Sequence, residues 1–250
     1  MQIMLDYYKE IQTYLEAIIQ TEEEHIQEAA EAVAQHIEKD RTFFVYGPGG
    51  HSNLASQEVF FRAGGLMHAN AILDEGTLLS SGALRSMAIE RTPGYGKIVM
   101  DNYQIGDGDL LILVNAYGIN TTVIESAIEA KQRGAKVIGI SSVEHAKDTP
   151  ATHPARHPSK KNLHDIVDIH VDSKVQVGDA VISIEGVEQK VGAVSTFVNA
   201  FIMNSITMQT TKLLNAQEVE PPIWKSGNAT GGDEWNQQFL GRFQGKMKHL

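Results

Sequence analysis

An α/β fold is predicted for this chain of 250 residues: a three-layer sandwich with a five-stranded parallel sheet in the order 2-1-3-4-5 and helices on both faces. Three observations carry the prediction. Short apolar runs alternate with helical patterns at the spacing of strand–helix–strand units. Leu110-Leu111-Ile112-Leu113-Val114 is a continuous apolar run, which suits a strand buried on both faces. The stretch Phe43-Phe44-Val45-Tyr46-Gly47-Pro48-Gly49-Gly50-His51-Ser52-Asn53 reads as a buried strand, a glycine turn and a helix start. In that strand order the loops after the first and third strands meet at the carboxyl ends of the sheet, where open α/β sheets bind ligands.

Taken in order, residues 5–19 carry Tyr8, Ile11, Leu15 and Ile18 on one helical face. Thr21 with Glu24 has the form of a capping box opening a second helix, continued by Ile26, Ala29, Val33 and Ile37. The first strand and its glycine turn follow, with Ser52 and Asn53 at the positions of helix caps. That helix is predicted over 54–62 and stops at Gly64-Gly65. Residues 67–73 form the second strand. The long segment 74–109, with helical patches at 84–90 and 98–103, has the length of a functional lid or wall. After the third strand, Asn115-Ala116-Tyr117-Gly118 opens a helix that ends at Gly134, and residues 135–140 form the fourth strand. Residues 143–164, with three prolines, read as loop. A fifth strand at 166–171, a short hairpin element near 181–184 and a long buried helix from Val194 to Met208 complete the core. We expect one domain: N-terminal helices over 1–40, the α/β core over 41–215, and a tail with a last helix over 216–250.

Composition narrows the function classes. A formal net charge of −10 leaves no basic field for a polyanion, so nucleic-acid binding is not expected. The absence of cysteine excludes disulfides, thiolate nucleophiles and cysteine-ligated metals. The chain opens on an acidic amphipathic pattern, not a basic patch with an apolar core, and no window has the length of a membrane span. A cytoplasmic protein without a membrane partner is expected. The apolar faces of the two leading helices predict a homodimer or homotetramer.

The first loop suits a dinucleotide, a flavin phosphate or a phosphorylated small molecule. Gly47-x-Gly49 lacks the third glycine of the dinucleotide fingerprint, and no cofactor is expected. Polar groups converge from three strand ends: Gly49, Gly50, Ser52 and Asn53 from the first, Asn115, Tyr117, Asn120 and Thr121 from the second, and Ser141 and Ser142 from the third. That set, with Lys190 further along the chain, suits a small phosphorylated polyol. His153, His157 and His164 have no zinc-ligand spacing, and no metal is expected.

The succession of strand, Gly47-Pro48-Gly49-Gly50-His51-Ser52, then residues 109–114 with Asn115-Ala116-Tyr117-Gly118-Ile119-Asn120, then 137–142, resembles the sugar isomerase (SIS) domain of phosphosugar-binding proteins over about residues 40–215. It is most similar to phosphoheptose isomerases. Through Lys190-Val191-Gly192-Ala193-Val194-Ser195-Thr196 and the helix after it, it is also similar to N-acetylmuramic acid 6-phosphate etherases. His157-Pro158-Ser159-Lys160-Lys161, Val177-Gly178-Asp179-Ala180 and Gly231-Gly232-Asp233-Glu234 resemble a separate SIS subgroup. The resemblance implies binding of a phosphorylated sugar and an aldose–ketose isomerisation. A non-catalytic phosphosugar sensor and an etherase-like lyase acting on an amino-sugar phosphate are the alternatives. The serine-rich second loop of those isomerases is replaced here by Asn115, Tyr117 and Asn120. The family's catalytic glutamate falls on Phe61, and its late-helix histidine falls near Val198. Glu58, one turn before Phe61, and His51 are then the expected catalytic groups, ahead of Glu75, Glu188 and Lys190.

Overall fold

The computed structural model describes residues 2–250. The apolar runs become β1 (Phe43–Tyr46), β2 (Ala69–Ile72), β3 (Leu110–Val114), β4 (Lys136–Ser141) and β5 (Ile169–Asp172), a parallel sheet in the order β2-β1-β3-β4-β5. Val45 lies opposite Ala71 on one side and Ile112 on the other. Because strand side chains alternate, Phe43, Val45, Leu110, Ile112 and Val114 enter one core layer while Tyr46, Leu111 and Leu113 enter the other. That double burial is why β3 has no polar residue. The chain leaves β1 in one direction and β3 in the other, so a crevice opens between the loops that follow them.

One face is covered by α1 (Gln2–Thr21), α2 (Glu23–Glu38), α3 (Asn53–Val59) and α8 (Ser195–Ala216). Val33 and Ile37 of α2 pack with Val198, Ile202 and Ile206 of α8 on the sheet. Each such side chain contributes roughly 1.5–3 kcal/mol of burial. The other face is covered by α5 (Tyr95–Asn102) and α6 (Thr121–Gln132), through Val99, Met100, Val123, Ile124 and Ala127. On α1, Ile3, Met4, Leu5 and Tyr8 remain exposed, so only part of its apolar face is used within the chain. No described helix is long and apolar enough to cross a membrane.

Three expectations need correction. Thr21 does not cap the second helix: it is the last residue of α1, and Glu22 stands before α2 without a side-chain cap. Glu22 is buried instead, accepting from the Asp172 amide at 3.0 Å and pairing with Lys174 and with His25 at 2.8 Å. The helix expected over 54–62 ends at Val59, where Phe60 is extended and Phe61 is left-handed at φ 51°. Within the segment 74–109 the two expected helical patches do form, as α4 (Ala83–Glu90) and α5. The loop expected over 143–164 begins with α7 (Val143–Asp148), because Ser142 accepts from the His145 amide at 3.0 Å.

Two peripheral pieces complete the chain. β6 (Ala180–Ile182) and β7 (Val191–Ala193) make an antiparallel hairpin against α1, where the Tyr7 hydroxyl donates to the Ala193 carbonyl. The C-terminal segment doubles back along the sheet edge, bridging Ile223 to Leu66, and ends in α9 (Gly232–Phe243). A third apolar cluster of Met67, Trp224, Phe243 and Met247 holds it there.

Candidate functional site

At the carboxyl ends of β1, β3 and β4 lies a cavity of about 550 Å³. The β1 loop forms one wall. It turns at Gly47, where a Cβ would overlap the Ser52 carbonyl oxygen at 2.0 Å, so the loop folds this tightly only with glycine. Asn53 holds the turn from behind: its Nδ2 donates to the Gly49 and Gly50 carbonyls at 3.0 and 2.7 Å. Asn115, at the tip of β3, ties this loop to the next. Its Nδ2 donates to the Pro48 carbonyl at 3.1 Å, and its Oδ1 accepts from the Gly118 amide at 2.8 Å.

Glu90, the last residue of α4, projects its carboxyl into the crevice between these loops. Asn120 Nδ2 donates to Glu90 Oε1 at 2.6 Å and Asn115 Nδ2 reaches it at 3.4 Å. Gly49 makes room for it, since a Cβ there would sit 2.6 Å from Oε1 at a φ of +120°. Burial pushes the Glu90 carboxyl up to about 7, and the two amide donors with the Arg91 charge offset only part of the rise. A carboxyl poised there can both take and return a proton near neutral pH. The side-chain oxygen of Asn120, a buried residue of the lining, has no hydrogen-bond partner among the described residues.

The opposite wall comes from α7 and from the segment before β6. His145 stacks on Tyr117, centroids 3.5 Å apart, and its Nδ1 lies 3.1 Å from Thr149 Oγ1. Burial lowers His145 to about 4, so the ring is neutral at pH 7. The Tyr117 hydroxyl is raised, by burial and then by the Asp179 and Glu90 charges. Asp179 accepts from the Val194 and Ser195 amides at 3.0 and 2.8 Å and from the Ser195 hydroxyl at 2.6 Å, capping the start of α8. Arg91 is the one arginine or lysine along the lining, against Glu90, Asp148 and Asp179.

Gly49, Gly50, His51, Ser52, Asn115, Tyr117 and Asn120, expected from the sequence, line this cavity together. Other expected residues lie elsewhere. Asn53 and Thr121 are buried behind the lining. Ser141 packs beneath Gly118, with its Oγ 2.9 Å from His170 Nε2, and Ser142 caps α7 while donating to the Val175 carbonyl at 2.6 Å. Lys190 sits exposed beside β7 in the hairpin. Glu58 turns away into a separate groove between α3 and α8, where it meets Asn204 at 3.2 Å and Arg62 at 3.5 Å. The reason is helical phase: Asn53 and Ser56 occupy the buried side of α3, which leaves position 58 on the side facing α8.

Sequence reasoning missed Glu90, His145, Asp148, Asp179 and Ser195. For Glu90 a signal exists: an acid closing a short helix inside the long 74–109 segment, followed by Arg91-Thr92-Pro93-Gly94. Asp179 stands in the Val177-Gly178-Asp179-Ala180 stretch, but nothing there points to the site, which it reaches only through the fold-back before β6.

The SIS domain model matches residues 6–142. A UPF0309 protein of Thermoanaerobacter pseudethanolicus is 36% identical over 99% of this chain and 100% of its own length. A UPF0309 protein of Halalkalibacterium halodurans is 36% identical over 99% of this chain and 97% of its own. Among solved structures, a phosphoheptose isomerase from Francisella tularensis superposes with a TM-score of 0.54 at 15% identity, covering 84% of this chain and 97% of that one. A phosphoheptose isomerase from Neisseria gonorrhoeae gives 0.52 at 16% identity, covering 87% and 97%. At such identities these two speak to the fold. The chain is a member of the SIS domain family and stands among its UPF0309 proteins.

Proposed function

We propose that the protein binds a phosphorylated sugar in the cavity between the β1 and β3 loops and interconverts its aldose and ketose forms, with Glu90 as the proton-transfer group. The carrying observation is the Glu90 carboxyl, raised to about 7 and held by Asn120 at the bottom of that cavity. As the carboxylate, Glu90 takes the proton from the carbon beside the carbonyl. The C–H electron pair becomes the carbon–carbon double bond of an enediol while the carbonyl oxygen gains a proton. Returning the first proton to the neighbouring carbon and releasing one from the other oxygen completes the exchange. Amides of the Gly49–Ser52 turn, the Ser52 hydroxyl, Asn120 and the first turn of α6 would receive the phosphate end, with Arg91 adding charge at the rim. The names of the solved structural neighbours motivate the choice of substrate class. Glu90 takes the place first expected of Glu58, and His51 stays at the cavity wall as the group nearest the turn.

Thermal-shift screening with pentose, hexose and heptose phosphates, followed by turnover assays on those that bind, tests the reading. Glu90→Gln should keep binding within a few-fold and lower turnover at least about 100-fold, the scale of a lost general base. Turnover that survives the substitution sinks the role of Glu90. A sugar phosphate that binds the wild type without turnover leaves the site a sensor.

A further inference from the structure

The C-terminal segment builds a second cavity that the isomerase reading does not use. Gly64 donates to the Trp224 carbonyl at 2.8 Å and Trp224 donates back to Gly65 at 3.0 Å, which seats residues 224–233 against the turn that follows α3. Between them is a space of about 390 Å³, at the small end of the range for ligand pockets. Its floor is aromatic: Trp224 is buried, and the Phe61 ring lies over it with centroids 4.6 Å apart. Phe61 is 57% exposed and left-handed, a backbone state that bulky residues rarely take. Burial of its own ring therefore does not explain the conformation, which instead keeps a flat apolar surface facing the opening.

The walls supply charge. Arg62 and Lys225 both line the space, against the single carboxylate of Asp233. The Arg62 side chain is 59% exposed and meets Glu58 only at 3.5 Å. Lys225 Nζ sits 4.3 Å over the Trp235 ring and has no salt-bridge partner among the described residues. The Lys225 backbone is fixed from both sides by Asn236, whose Oδ1 accepts from its amide at 3.0 Å and whose Nδ2 donates to its carbonyl at 2.9 Å. A lysine with a fixed backbone, an arginine only loosely paired with Glu58 and an exposed ring on a tryptophan floor together match one ligand chemistry.

We propose that this cavity binds a small planar anion, an aromatic ring system carrying a carboxylate or phosphate, at a site separate from the Glu90 cavity. The ring stacks on Phe61 and the anion is met by Arg62 and Lys225. The claim does not depend on the isomerase reading.

Trp224 lines the site and Trp235 lies under Lys225 Nζ; these are the only tryptophans of the chain, so intrinsic fluorescence reports on the site. Titration of the full chain with adenosine monophosphate, with benzoate and with inorganic phosphate separates the chemistries. Saturable quenching by either aromatic anion, with inorganic phosphate at least about tenfold weaker, is expected; the organic probe that acts tells phosphate from carboxylate. Lys225→Ala should weaken that binding at least about tenfold. Phe61→Gly, which removes the ring and suits the left-handed backbone, should do the same without lowering the melting temperature, and Glu90→Gln should leave it unchanged. The proposal is overturned if neither aromatic anion quenches saturably, if inorganic phosphate binds as well as they do, or if Lys225→Ala and Phe61→Gly both bind like the wild type.

Discussion

Glu90 carries a stability signature that does not require a substrate. Its carboxyl titrates near 7 when folded and near 4.3 in an unfolded chain, so between those values the native state holds the extra proton. Stability then falls as pH rises through that window and levels off above 7. A displacement of this size is worth at most about 4 kcal/mol at full ionisation, and incomplete burial of the carboxyl lowers this toward about 2 kcal/mol. Glu90→Gln keeps an acceptor for Asn120 and removes the titration. The variant should match the wild type at pH 4.5 and be about 2 kcal/mol more stable at pH 8. Urea midpoints for both proteins at the two pH values check this, and a difference that does not change with pH removes the buried-carboxylate account. Nothing in the primary structure marks Glu90 with such a property. Its environment is made by Gly49, Asn115 and Asn120, which lie 25 to 41 positions away in the chain.

Elements were legible where burial repeats with a short period and illegible where a fold-back decides. The all-apolar β3 and the glycine turn after β1 placed the crevice correctly, because a strand buried on both faces must be central. The α1–α2 junction shows the opposite case. Thr21 and Glu24 have capping-box spacing, yet the neighbouring Glu22 is drawn into the core by Lys174, which is distant in sequence. Burial alone would raise Glu22; the Lys174, Asp172 and His25 contacts together outweigh it and hold the carboxyl below its usual value. Removing the cation leaves a buried, undercompensated carboxylate, a loss of about 3 kcal/mol. Lys174→Met, similar in length and with the same backbone demand, should therefore lower the urea midpoint clearly at pH 7. Because the Glu22 value is depressed, the pair's contribution is present above pH 4.5 and fades as pH falls through the folded value, so the gap between the proteins should narrow at the acid end. An equal midpoint at pH 7 would show the pair to be neutral.

At the scale of the whole molecule, four histidines are held neutral by burial. His36, His68, His145 and His170 all fall to about 4. In the unfolded chain each titrates near 6.5, so between 6.5 and 4 the unfolded state binds more protons and stability declines as pH drops. The sign is opposite to that of Glu90, and four groups outnumber one. Even a fraction of the roughly 3 kcal/mol available to each is large against the 5–15 kcal/mol that holds a typical domain together. His68 is the clearest contributor: it is fully buried, its Nδ1 has no hydrogen-bond partner, and its Nε2 reaches only Asp40 Oδ1 at 3.5 Å, which offsets part of the burial effect. Its ring sits edge-on to Phe243 at 4.9 Å. It therefore joins the sheet edge to the C-terminal segment, whose outer side is pinned by Asp40 to Arg242 and Lys246. The urea midpoint should be nearly flat from pH 8 to 7 and fall steeply between 6 and 4.5. His68→Leu removes one of the protons taken up on unfolding and leaves no polar atom unpaired, so its curve should be shallower and cross above the wild type near pH 5. A wild-type midpoint that stays constant down to pH 4.5 would mean that these rings already carry their protons in the folded protein.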